Sequence, residues 1–136
     1  MKAEFTVIGE PVGKARPRVT RMGHAYTPAK TVLYENLIKV EYERQCGEQR
    51  ASKPEGVSLS VAAYFQTPSS VSRKKRESML NGEIRPTKKP DADNILKCVG
   101  DALNGVAFDD DSQIVQCHAE KWYSDTPRLV VIVRSV

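Results

Sequence analysis

Residues 89–113 read KPDADNILKCVGDALNGVAFDDDSQ, from Lys89 to Gln113. Within this stretch Ile95, Leu96, Val99, Ala102 and Leu103 recur at the three- and four-residue spacing of one helix face, while Asn94, Lys97, Asp101 and Asn104 fall on the opposite stripe. Asp93 suits the N-cap of that helix, and Asn104-Gly105 suits its end. The spacing therefore predicts an amphipathic helix over 93–104, bracketed by two acidic groups: Asp91-Ala92-Asp93 before it and Asp109-Asp110-Asp111 after it. Pro90 biases Lys89 toward extended backbone, so the Asp91-Ala92-Asp93 carboxylates are expected on an extended lead into the helix.

Working outward, residues 2–8 (KAEFTVI) alternate apolar and polar and end in Gly9-Glu10-Pro11, the pattern of a strand closed by a turn. A Gly-, Pro- and Arg-rich stretch follows, expected to be a loop or an irregular hairpin around Met22-Gly23-His24. Val32, Leu33, Leu37, Ile38 and Val40 suggest a helix from about Thr31 to Cys46, ended by Gly47. Residues 57–65 (VSLSVAAYF) alternate again, with Val57, Leu59, Val61 and Ala63 on the inner face. Ser69 or Ser70 is a candidate cap for a short helix over 71–80, stopped by Asn81-Gly82. Two β-like runs, 113–123 and 128–133, close the chain around a turn at Ser124-Asp125-Thr126-Pro127. The order is about β-α-β-α-α-β-β, which indicates an α/β (α+β) fold. We expect a single domain over 1–136 with one mixed β-sheet flanked by helices.

The 136 residues suffice for one core. No apolar run reaches the length of a membrane span, and no signal-peptide pattern is present, so no membrane association and a cytoplasmic location are expected. Cys46, Cys98 and Cys117 are an odd set without paired spacing, expected reduced and partly buried. His24 and His118 have no second histidine at ligand spacing.

The net charge of +4 is modest, but its distribution is uneven. Lys14, Arg16, Arg18, Arg21 and Lys30 stand without an acid over residues 11–30. Arg73, Lys74, Lys75, Arg76, Arg85, Lys88 and Lys89 dominate residues 73–89. Between 91 and 111 the sign reverses, with only Lys97 opposing the aspartates. Cationic segments around an anionic cluster suit a surface that binds a polyanion and recruits cations to act on it. Hard divalent ions such as Mg2+ prefer carboxylate oxygens and keep sites free for water and phosphate. Plainer readings exist for each piece: Asp93 as a cap, the aspartate run as an acidic turn, Lys97 as the i,i+4 partner of Asp93 or Asp101.

Taken as an ordered set, Lys-Pro-Asp-Ala-Asp-Asn-Ile-Leu-Lys from Lys89, Asp-Ala-Leu-Asn-Gly from Asp101 and Asp-Asp-Ser-Gln-Ile from Asp110 resemble the signature of the RusA family of Holliday junction resolvases. Gly13-Lys14-Ala15-Arg16-Pro17-Arg18 and Tyr26-Thr27-Pro28 are similar to the family's amino-terminal pattern, leaving 46–88 as the least distinctive region. The resemblance implies a homodimer of small α/β subunits that cuts four-way junction DNA with Mg2+, or Mn2+ in its place, and no organic cofactor. It implies Asp91, Asp93 and Asp111 as metal ligands, with Asp110 the main rival to Asp111 and Asp109 a weaker one, and Lys97 as a catalytic lysine. Lys14, Arg16, Arg18, Arg21, Lys74, Lys75, Lys88 and Lys89 are the candidate phosphate-binding cations. The competing classes are a noncatalytic DNA-binding accessory protein and a metal-dependent nuclease for other branched DNA.

Overall fold

Period-two burial builds the main sheet in the computed structural model, which describes residues 1–136. Ala3, Phe5 and Val7 are buried in β1 (Lys2–Ile8), and Val57, Leu59, Val61, Ala63 and Phe65 in β4 (Val57–Gln66). Leu129, Val131 and Val133 are buried in β6 (Arg128–Ser135). With β5 (Ile114–Ser124) these strands form one mixed sheet of order β1-β6-β4-β5. β6 runs antiparallel to both β1 and β4, and β5 runs parallel to β4. A parallel pair cannot be joined by a tight turn, and the β4–β5 connection accordingly carries α2 (Arg73–Leu80) and α3 (Ala92–Leu103). The chain is thus an α+β domain with one core. β2 (Arg18–Val19) and β3 (Ala25–Tyr26) form the small hairpin expected around Met22-Gly23-His24, where Gly23 adopts φ +81°. No helix is long and apolar enough to cross a membrane.

The apolar run 129–133 is a central strand, paired on both edges. Its even members Val130 and Ile132 point to the sheet face opposite the core, where no strand position is fully buried. Cys46 and Cys98 are buried free thiols and Cys117 is exposed; burial pushes the Cys98 thiol up to about 12.

The first helix, α1 (Ala29–Cys46), corrects the sequence reading. It buries Thr31, Tyr34, Ile38, Tyr42 and Cys46, so that of the aliphatic set Val32, Leu33, Leu37, Ile38 and Val40 only Ile38 is buried and the other four are exposed. At Tyr42 the amphipathic character of tyrosine accounts for this: its ring supplies apolar area while its hydroxyl reaches a polar partner. Tyr42 packs edge-to-face on Phe5, with ring centroids 5.4 Å apart, and donates its hydroxyl to the Gln49 carbonyl at 2.5 Å. Ile38, fully buried, should lose about 2–5 kcal/mol of stability on truncation to alanine. Leu33, 69% exposed, should change by no more than about 0.5 kcal/mol. Urea denaturation of Ile38→Ala and Leu33→Ala decides; equal losses would restore the aliphatic face as the packed one.

Two caps also differ from expectation. Ser72, not Ser69 or Ser70, caps α2 by accepting the Lys75 N–H. Asp91, not Asp93, occupies the N-cap of α3, so the helix begins at Ala92 and Asp93 sits in its first turn. The Asp91 carbonyl accepts the Ile95 N–H at 3.1 Å, the first bond of the helical ladder.

Candidate nucleic-acid interface and acidic site

The two motif regions, far apart in sequence, meet in space. Lys14 donates its backbone N–H to the Asn94 carbonyl at 2.8 Å, which fastens the Gly13–Arg18 segment against the first turns of α3. Gly13 is required there by closeness. A Cβ at this position would lie 2.6 Å from the Pro90 Cβ and 3.2 Å from the Asn94 Cβ. The result is a groove of about 900 Å³ bordered by Arg16, Arg18, Lys30 and Lys89, with Asp91 and Asn94 on its α3 side. Lys14 lines it as well, but its ammonium is engaged elsewhere. Arg21, Lys74, Lys75 and Lys88 do not line the groove. Lys30 does, although the sequence reading counted it only as part of a basic segment.

Each acidic residue between 91 and 111 has a distinct fate. Asp109 accepts from Arg50 Nε and from the Lys53 N–H, both at 2.9 Å. The Lys53 N–H first, and then Arg50, hold its carboxyl below the usual range. Asp110 accepts the Ser112 hydroxyl, which depresses its pKa, and pairs with Lys53 at 3.5 Å. Asp101 pairs with Lys14 and Lys97. Asp91, although it is the N-cap, accepts no capping bond through its side chain. The carboxylates of Asp91, Asp93 and Asp111 take part in none of the ion pairs of the protein. The three residues that the family resemblance implies as ligands therefore stand outside every ion pair, and of the Asp110/Asp111 rivals only Asp110 is paired with a cation.

The structure does not gather these carboxylates into one cage: no group of three His, Cys, Asp or Glu side chains lies at metal-holding spacing. Asp91 borders the cationic groove, while Asp111 lines a second, smaller groove between α3 and β5 with Lys97, Asp101 and Cys117. Asp93 is exposed at the start of α3 and lines neither.

Gln113 is a residue whose role the sequence reading missed. It is buried, donates its amide to the Ala51 and Glu55 carbonyls at 3.2 and 2.9 Å, and accepts the Asp110 N–H at 2.9 Å. A fully bonded buried amide fixes the short 3-10 turn Asp111–Gln113 against the 51–55 loop and so sets where Asp111 stands. Its presence in the acidic motif was the only signal.

A cationic groove bordered by Asp91, on a small α+β domain, has the charge to hold a polyanion. The chain belongs to the RusA endodeoxyribonuclease family, whose model matches residues 9–134. It is also 41% identical over 138 residues to the uncharacterised protein YqaN of Bacillus subtilis (strain 168), an alignment that covers 98% of this chain and 96% of that one.

Proposed function

We propose that this chain is a Mg2+-dependent endonuclease that resolves four-way DNA junctions during recombination and repair, by paired symmetric hydrolysis in a homodimer. The observation that carries the reading is that Asp91, Asp93 and Asp111 stand outside every ion pair of the protein, with Asp91 on the border of a groove of arginines and lysines. Family membership supplies the nuclease class.

The donor chemistry fits magnesium or manganese. All three candidates are hard carboxylate oxygens, and such ions take one or two carboxylates and complete their shell with water and phosphate oxygens. Asp91, Asp93 and Asp111 are the carboxylates that would serve such ions, one or two to an ion, and the metal would supply activation of the attacking water and offset charge on the phosphoryl group. Arg16, Arg18, Lys30 and Lys89 hold the DNA backbone through charge, without reading bases, which suits selection by shape. Lys97 lines the Asp111 groove and extends a 63% exposed side chain that can stabilise negative charge on the scissile phosphate.

Resolution of a junction into two duplexes needs two cuts related by symmetry, and a C2 dimer supplies two sites related in that way. The test is cleavage of a labelled four-way junction against duplex of the same sequence, with sedimentation of the free protein. Symmetric Mg2+-dependent nicks in the junction alone, from a species of twice the 15.2 kDa chain mass, are expected. Binding without cleavage identifies an accessory protein, and equal cutting of flaps or nicks identifies a different branched-DNA nuclease.

Neutralising Arg16 and Arg18 together should weaken binding to every DNA and flatten the slope of log K against log salt by roughly 2, because each lost phosphate contact releases about one counterion fewer. The same change at Lys74 and Lys75, outside the groove, should do much less. Salt titrations of affinity check both, and an unchanged slope for the arginine pair removes these residues from the interface.

A further inference from the structure

The Asp101 carboxylate receives two lysines from different parts of the chain. Lys14 Nζ, on the amino-terminal segment, lies 3.3 Å from Asp101 Oδ2 and 2.7 Å from Glu35 Oε1 of α1. Lys97 Nζ, one turn before Asp101 on α3, lies 3.6 Å from the same Oδ2. The inner members of this chain of charges are shielded, with side-chain exposures of 17% for Lys14, 16% for Glu35 and 25% for Asp101, whereas Lys97 is 63% exposed. Burial works against the charge on Lys14, but its hydrogen bonds to Glu35 and Asp101 outweigh that and raise its pKa.

Resting on the junction-endonuclease reading above, we propose that Asp101 is a positioning residue: anchored by Lys14, it holds the Lys97 ammonium at the groove that Lys97 shares with Asp111. An ordinary i,i+4 pair on a helix surface joins two mobile side chains and restrains neither. Here the acceptor is already fixed, because Lys14 is itself held by Glu35 and by its backbone bond to Asn94. Glu35 alone gives Lys14 a close partner, so Asp101 is not needed merely to neutralise it. A lysine has a long, rotamer-rich stem, and ordering it before phosphate arrives removes an entropy cost from the reactive complex. The exposed side of Lys97 remains open to a phosphate. The same ion-pair chain links the cationic groove, through Lys14, to the Asp111 groove, through Lys97.

The test is Asp101→Asn, which keeps the shape and removes the charge, in wild-type and Lys97→Ala backgrounds, with Asp101→Glu as the conservative variant. Single-turnover junction cleavage at saturating Mg2+ should fall about tenfold in Asp101→Asn, with little further loss when Lys97 is already absent, because residues that act as a unit are not additive. Asp101→Glu should recover part of the rate, and junction affinity in Ca2+ should change less than about twofold between Asp101→Asn, Asp101→Glu and the wild type, in all of which Lys97 and the groove arginines and lysines remain. A second readout is independent of activity: the side-chain ammonium signal of Lys97 in 15N-lysine NMR should be ordered in the wild type and mobile in Asp101→Asn. An equal fold-loss in both backgrounds, or a Lys97 signal unchanged by the substitution, overturns the proposal. If the wild type cuts no branched DNA, the functional reading fails, and the Lys97 signal still decides whether Asp101 positions it.

Discussion

Asp91→Asn is expected to lower single-turnover cleavage of a four-way junction by about 10³-fold or more, because a metal ligand contributes several kcal/mol of charge stabilisation and each 1.36 kcal/mol is tenfold in rate. Folding should be nearly untouched. Asp91 is exposed, its carboxylate makes no capping bond, and Asn serves as well as Asp at an N-cap. Junction affinity measured without metal should hold or tighten, since the change removes a negative charge from a groove lined by Arg16, Arg18, Lys30 and Lys89. Asp93→Asn should behave alike. Loss of binding in step with cleavage, in a variant that melts normally, would assign the aspartate a structural role and take the metal assignment down with it.

The second large effect separates Asp111 from Asp110. Asp111→Asn should reduce cleavage by roughly 10²-fold to 10³-fold with a melting temperature near that of the wild type, since no ion pair depends on it. Asp110→Asn should do the reverse. It disturbs the Ser112 bond and the Lys53 pair, so the melting temperature falls modestly while most of the cleavage rate survives. Thermal melts and single-turnover rates on the two variants decide between them. A severe rate loss confined to Asp110→Asn would transfer the ligand role to that residue.

Much of the element pattern was legible in the chain. Alternation over residues 2–8 and 57–65 marks strands because burial on one sheet face repeats every second residue, and both strands stand where the alternation puts them. The apolar stripe Ile95, Val99, Ala102 and Leu103 buries as a helix face should. α1 was not legible in the same way. Apart from Ile38, its aliphatic residues point away from its tyrosine-containing stripe, and a helix period alone cannot say which side meets the sheet. Phe5 and the Gln49 carbonyl, distant in sequence, decide in favour of Tyr42.

The candidate site divides along the same line. The residue types, the order of the motifs and the sign of each charged segment are properties of the sequence, and they sufficed to place the chain in its nuclease family. Only the tertiary structure decided that the Gly13–Arg18 segment docks on Pro90 and Asn94, that β6 lies between β1 and β4, and that Asp101, Asp109 and Asp110 are committed to lysines, an arginine and a serine. The physical reason is one of range: periodic burial and capping act over a few residues and leave their mark locally. The partner of a charge or the neighbour of a strand is set by which distant segments the closed chain brings together, and many pairings share the same local preferences.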